Sequence, residues 1–213
     1  MTNLCAVSVS EQQQGGIFVN SKKTYELVIA AIFIALIAVL SLTPIGFLTL
    51  GVVAITFVHI PVIIGSITLH HRFYYGIIFG LAFGICSFLR ALTSASVFEK
   101  FVFTDPRIAV IPRIVVGLAA VFVFRGISKI IKRKEIAYGL TAVAATLTNT
   151  VTVVGSVFIF HSEEVRTLIG MDAAAWFFAT ILSVNVVLEV TAAVVISVPV
   201  CMAVEKASKQ FAD

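Results

Sequence analysis

Residues 174–204 constrain this chain most: about thirty residues run without a charge except Glu189. At ~1.5 Å per residue, a helix of that length exceeds a hydrocarbon core of about 30 Å. Asn185 and Glu189 are four apart, so they stack one turn above the other on one helix face. Counted from Trp176, they lie about nine and thirteen residues in, near the bilayer midplane at that rise. A carboxylate at such depth costs at least ~2.5–3.5 kcal/mol, so it turns toward a bundle interior, a partner or a polar cavity. The remaining helices have to enclose that face.

Composition agrees with a membrane protein. The 213 residues are 60% apolar and 12% charged, with a mean hydropathy of +1.09, whereas soluble domains are about one quarter charged. Near-continuous apolar runs exclude the alternating ~10-residue segments of a membrane barrel. The expectation is an all-α bundle of six transmembrane helices, at residues 25–42, 53–69, 73–95, 108–131, 136–160 and 174–204. Residues 1–22 are expected to be a disordered tail, and residues 23–213 the membrane domain. The apolar stretch from Thr43 to Gly51, with Pro44, Gly46 and Gly51, is a candidate lid.

Basic residues set the expected orientation. With a cytoplasmic N-terminus, the inner side holds Lys22, Lys23, Arg72, Arg125, Lys129, Lys132, Arg133, Lys134, Lys206 and Lys209. The outer loops keep only Lys100, Arg107 and Arg166. Both termini then face the cytoplasm of a bacterial plasma membrane. The net charge of +4 follows from these loops and not from affinity for nucleic acid. Cys86 and Cys201 fall in apolar runs and Cys5 in the polar tail, a pattern of packing thiols without metal-ligand spacing. No cofactor is expected.

Hydrophilic side chains within the apolar runs are the candidate site. Asn149, in Leu147-Thr-Asn-Thr-Val-Thr152, lies at the same expected depth as Asn185. Arg90 lies near the outer end of the third span, Arg113 one to two turns inside the fourth, and His59 at the start of the second. Pro112 suits a first helical turn, where its missing N–H costs nothing. Interhelical hydrogen bonding would account for Asn149, and a structural ion pair with Glu189 for either arginine. Five of the six spans contribute such a group, in the outer half or at the midplane, and that convergence favours a small polar solute with an anionic group. A guanidinium fork pairs bidentately with a carboxylate. There is no P-loop, H-E-x-x-H or G-x-S-x-G motif.

Taken together, Ala31-xxx-Ala35, Ile55-Thr-Phe-Val-His-Ile-Pro-Val-Ile-Ile-Gly65, the glycines from Gly76 through Gly84, Pro112-Arg-Ile-Val-Val-Gly117, Leu147-Thr-Asn-Thr-Val151 and Asn185 with Glu189 resemble the substrate-binding S components of energy-coupling factor (ECF) vitamin transporters. The likeness extends over residues 23–204, and is to the pantothenate-type members. It implies a non-enzymatic carrier that captures a vitamin, pantothenate above all, at the outer face. A transmembrane coupling subunit and two cytoplasmic ATPases would be its partners. Ala31 and Ala35 would dock the coupling subunit, residues 43–51 would cover the site, and Arg90, Arg113, Asn149 and Asn185 would bind cargo. Glu189 would accept a cargo hydroxyl or hold an arginine, and His59 completes the set. Another vitamin within the same family, or a membrane enzyme or assembly factor using Glu189 and His59, are the alternatives.

Overall fold

Long apolar sequence has to satisfy its backbone internally, and helices do so wherever the chain crosses a membrane. The computed structural model describes residues 21–50, 53–93, 100, 103–170 and 172–210. Its helices are α1 (Ser21–Leu42), α2 (His59–Thr68), α3 (Tyr74–Thr93), α4 (Pro106–Ile130), α5 (Lys134–Phe160), α6 (Ser162–Ile169), α7 (Ala173–Ile181) and α8 (Val184–Gln210). Strands β1 (Phe47–Leu50) and β2 (Val53–Thr56) form an antiparallel hairpin between α1 and α2. Five segments are long and apolar enough to span a membrane: α1, α3, α4, α5, and α7 with α8 taken together. Of the expected tail, residues 1–20 lie outside the described part, and α1 already starts at Ser21.

Two expected spans are corrected. Residues 53–69 are not one helix: Val53–Thr56 is a strand, and only the ten residues His59–Thr68 are helical. At the usual rise these reach ~15 Å, half a hydrocarbon core. Val53, Ile55 and Thr56 are β-branched and pack well in a strand, and hydropathy alone does not separate an apolar strand from an apolar helix. The last span is interrupted at Leu182–Ser183, between α7 and α8. Ser183 marks the restart, serine being favoured where helices begin. Asn185 therefore lies in the first turn of α8 instead of midway along a continuous rod.

Helix α2 runs through the middle of the bundle, buried from His59 to Ile67. The hairpin closes one end, the hairpin end. The start of α1, the α2–α3 turn, the α4–α5 turn and the end of α8 form the other, which carries Arg72, Lys132, Lys134 and Lys209 and is called the basic end. Beside α2, helices α3 and α4 approach backbone to backbone. A methyl group built on Gly80 would lie 2.4 Å from the Arg113 carbonyl oxygen, and one on Gly117 2.0 Å from that of Gly76. The glycines thus set the separation of the two helices that carry Arg90 and Arg113.

Replacing Gly80 by leucine is expected to cost ~1–3 kcal/mol through overpacking, seen as a lower thermal unfolding midpoint in detergent. Gly126→Ala, where an added methyl meets nothing within 4 Å, should not lower it.

Candidate functional site

Arg113 is placed by the residue before it. Asp105 caps α4 by accepting from the Arg107 N–H at 2.8 Å, and Pro106 occupies the first turn. Pro112, expected in that first turn, lies instead in the second, inside the helix. Proline cannot donate to the carbonyl four residues back, here that of Ile108. The Arg113 Nη1 donates to this freed Ile108 oxygen at 3.2 Å. The guanidinium carbon lies 4.8 Å from the Phe103 ring centre and 5.2 Å from that of Phe83, within cation–π range. Arg113 is only 6% exposed, and among the described residues its Nε has no hydrogen-bond partner. Held by one carbonyl and two ring faces, this buried cation meets no anion among the described residues.

Around it lies a cavity of about 180 Å³, lined by Thr56 from the hairpin, Phe83, Ser87 and Arg90 from α3, Phe103, Arg113, and Asn149 and Thr150 from α5. Three of the sequence-derived residues, Arg90, Arg113 and Asn149, thus line one cavity. Arg90 Nη1 donates to the Ser41 carbonyl at 3.4 Å, tying α3 to the end of α1. Among the described residues, the Asn149 side-chain oxygen is buried without a partner, as is the Thr146 hydroxyl one turn earlier, although Thr146 does not line the cavity. Most buried polar atoms in folded proteins are paired, so Arg113 and Asn149 present unmet donor and acceptor capacity to a small aromatic-sided space. Its chemistry suits a small anionic solute that also carries hydroxyl or amide groups.

The other candidates are placed differently. His59 is fully buried at the start of α2, with neither ring nitrogen in a well-formed hydrogen bond. Among the described residues, the Asn185 side-chain oxygen has no partner, and no hydrogen bond joins it to Asn149. Neither residue lines the cavity. Glu189, 8% exposed, holds no arginine among the described residues: its Oε1 accepts the backbone N–H of Thr56 at 2.9 Å. Ala31 and Ala35 face outward from α1, beside exposed Leu27, Val28, Ile32, Leu36 and Val39, while Ala30 turns into the core. Residues 43–46 lead into the hairpin through a short 3-10 turn, and residues 47–50 are its first strand; Gly51 lies outside the described residues.

Phe83, Phe103, Ser87 and Thr150 are site residues that sequence reasoning did not find. Phe83, Ser87 and Arg90 share a helix face by their spacing, a signal readable only after Arg90 is chosen. Phe103 has none.

A larger cavity, about 790 Å³, opens at the basic end, but its acidic groups are already engaged. Glu26 is 5% exposed and meets His71 at 2.9 Å, Arg72 at 3.3 Å and the Tyr75 hydroxyl at 3.4 Å. Glu205 accepts from the Tyr138 hydroxyl at 2.6 Å and pairs with Lys134 and, at 3.1 Å, Lys209. Burial pushes the His70 imidazole below its ordinary value, with its contact to the Ile67 carbonyl opposing. Both carboxylates are paired here, whereas among the described residues the buried Arg113 at the hairpin end meets no carboxylate, which selects the smaller cavity as the candidate site.

Comparison with known proteins points the same way. A family model described as "ECF transporter, substrate-specific component" matches residues 25–201. The pantothenic acid transporter PanT of Lactococcus lactis subsp. cremoris (strain MG1363) is 31% identical over 204 residues, covering 88% of this chain and 97% of its own length.

Glu26→Ala would leave His71, Arg72 and Tyr75 without their shared acceptor. The pair is partly exposed at Arg72, so a loss of about 1–3 kcal/mol is expected rather than the full penalty of a buried pair. Thermal unfolding should show that loss, while ligand affinity measured by calorimetry stays at the wild-type value because the network lies at the opposite end.

Proposed function

Because the chain belongs to the substrate-specific components of ECF transporters, a transport family and not an enzyme family, we propose that its cargo is pantothenate, taken up in the cavity at the hairpin end. The observation that carries this reading is the Arg113 guanidinium, buried, wedged between Phe83 and Phe103, and meeting no anion among the described residues. Pantothenate offers a carboxylate for that cation, an amide for Asn149 and hydroxyls for the Thr150 and Ser87 side of the cavity. The likeness to PanT over nearly its whole length supports the same cargo.

Orientation follows from charge. The basic end faces the cytoplasm, with both termini there, and the hairpin end faces outward, so cargo arrives from outside. The outward face of Ala31 and Ala35 supports α1 as the surface for a coupling subunit: small side chains amid exposed Leu and Ile permit close helix approach in lipid. The energy for import then comes from the ATPases of that partner module.

Arg113→Ala removes the cation and leaves the ligand carboxylate unpaired in a dry site. A loss of ~2–5 kcal/mol in pantothenate binding is expected by calorimetry on purified protein. Unchanged affinity in both Arg113→Ala and Arg90→Ala would refute the assignment, and selective binding of a different water-soluble vitamin would reassign the cargo.

A further inference from the structure

We propose that Glu189 is a positioning residue rather than a cargo ligand: its carboxylate pins the base of the hairpin over the cavity, and cargo exchanges only when that bond opens. The proposal rests on the reading of this cavity as the cargo site.

The hairpin's own geometry makes the case. In the register Phe47 lies opposite Thr56, and the Phe57 N–H donates to the Gly46 carbonyl at 2.9 Å. A bond between the residues flanking a facing pair marks that pair as the non-hydrogen-bonded kind of an antiparallel ladder. The N–H of Thr56 therefore points away from β1, and the ladder does not satisfy it. Glu189 supplies the missing acceptor from α8, 133 residues further along the chain.

The need is mutual. A backbone N–H left unpaired in a membrane interior is costly, and so is a carboxylate. Among the described residues no cation pairs with Glu189, because Arg113 is held by the Ile108 carbonyl and the aromatic rings. One hydrogen bond thus answers two deficits at once. It joins the last strand of the hairpin to the last helix, and Thr56 itself lines the cavity. Breaking it removes the hydrogen bond that ties the hairpin base to α8 and leaves β2 its packing against that helix.

Two measurements on the purified full chain test this. The first needs no cargo: backbone hydrogen exchange across residues 53–58 in the free protein. Glu189→Ala should speed exchange at Thr56 by about tenfold or more, the scale of losing one hydrogen bond to a charged acceptor. Glu189→Gln keeps an acceptor oxygen and should stay within about threefold of wild type. The second is stopped-flow binding of pantothenate. Glu189→Ala should raise association and dissociation rates together by about tenfold, so that Kd moves far less than either rate, with Gln again restoring wild-type behaviour. Thr56→Pro removes the donor instead of the acceptor, and combined with Glu189→Ala it should be no faster than either alone.

Unchanged exchange at Thr56 in Glu189→Ala overturns the proposal, whatever binds. So does a loss of affinity carried by dissociation alone and shared by the Gln variant, which would make Glu189 a cargo contact. Accelerated exchange in a protein that does not bind pantothenate would instead remove the cargo assignment and leave the latch standing.

Discussion

A polar atom enclosed in a lipid-embedded bundle must find a partner within the protein or in what the protein binds, because water is not there to serve. The organisation of this chain follows from that constraint. Most of its helices meet it through their own backbone, and the α3–α4 pair meets it closely packed, with glycine where the backbones touch. The informative places are those where the chain breaks its own rule. Pro112 withdraws a donor from the interior of α4, the freed Ile108 oxygen accepts from Arg113, and the guanidinium is thereby fixed between Phe83 and Phe103. A local defect in the helix becomes the device that orients a buried cation.

The two ends of the bundle treat ionisable groups in opposite ways. At the basic end, Glu26 and Glu205 are each shared among several donors drawn from different helices. Those networks fasten α1 to the α2–α3 turn and α5 to α8. At the hairpin end, among the described residues, Arg113 and Asn149 retain unmet capacity beside open space. The short α2 allows this division: its ten helical residues follow a hairpin whose last residue, Thr56, lines the cavity. A pinned end and an end with room for a guest suit a protein that captures a small solute on one side and hands it on with the help of partners.

Much of this was legible in the sequence, and the omissions have physical causes. The five long segments announce themselves because more than eighteen apolar residues in a row have few other uses. The hairpin does not, because Val53, Ile55 and Thr56 are as apolar as a helix would be and differ only in branching. The break before α8 hangs on Ser183, one small polar residue in an otherwise apolar run. Arg90, Arg113 and Asn149 stood out because hydrophilic groups are expensive in lipid, and they do share a cavity. Phe83 and Phe103 did not stand out, being two of 18 phenylalanines in the chain. Glu189 was readable as a group in need of a partner. The partner itself is a backbone N–H, which no pattern of side chains reveals.

The account stands on the claim that the unpartnered groups at the hairpin end are completed by cargo. A structure of the protein with pantothenate bound tests this most directly. The account predicts density for the ligand between Phe83 and Phe103, with its carboxylate at hydrogen-bonding distance from the Arg113 guanidinium and the side-chain oxygen of Asn149 engaged. Pantothenate in the cavity at the basic end, or Arg113 still without an anion when the protein is saturated, would contradict it.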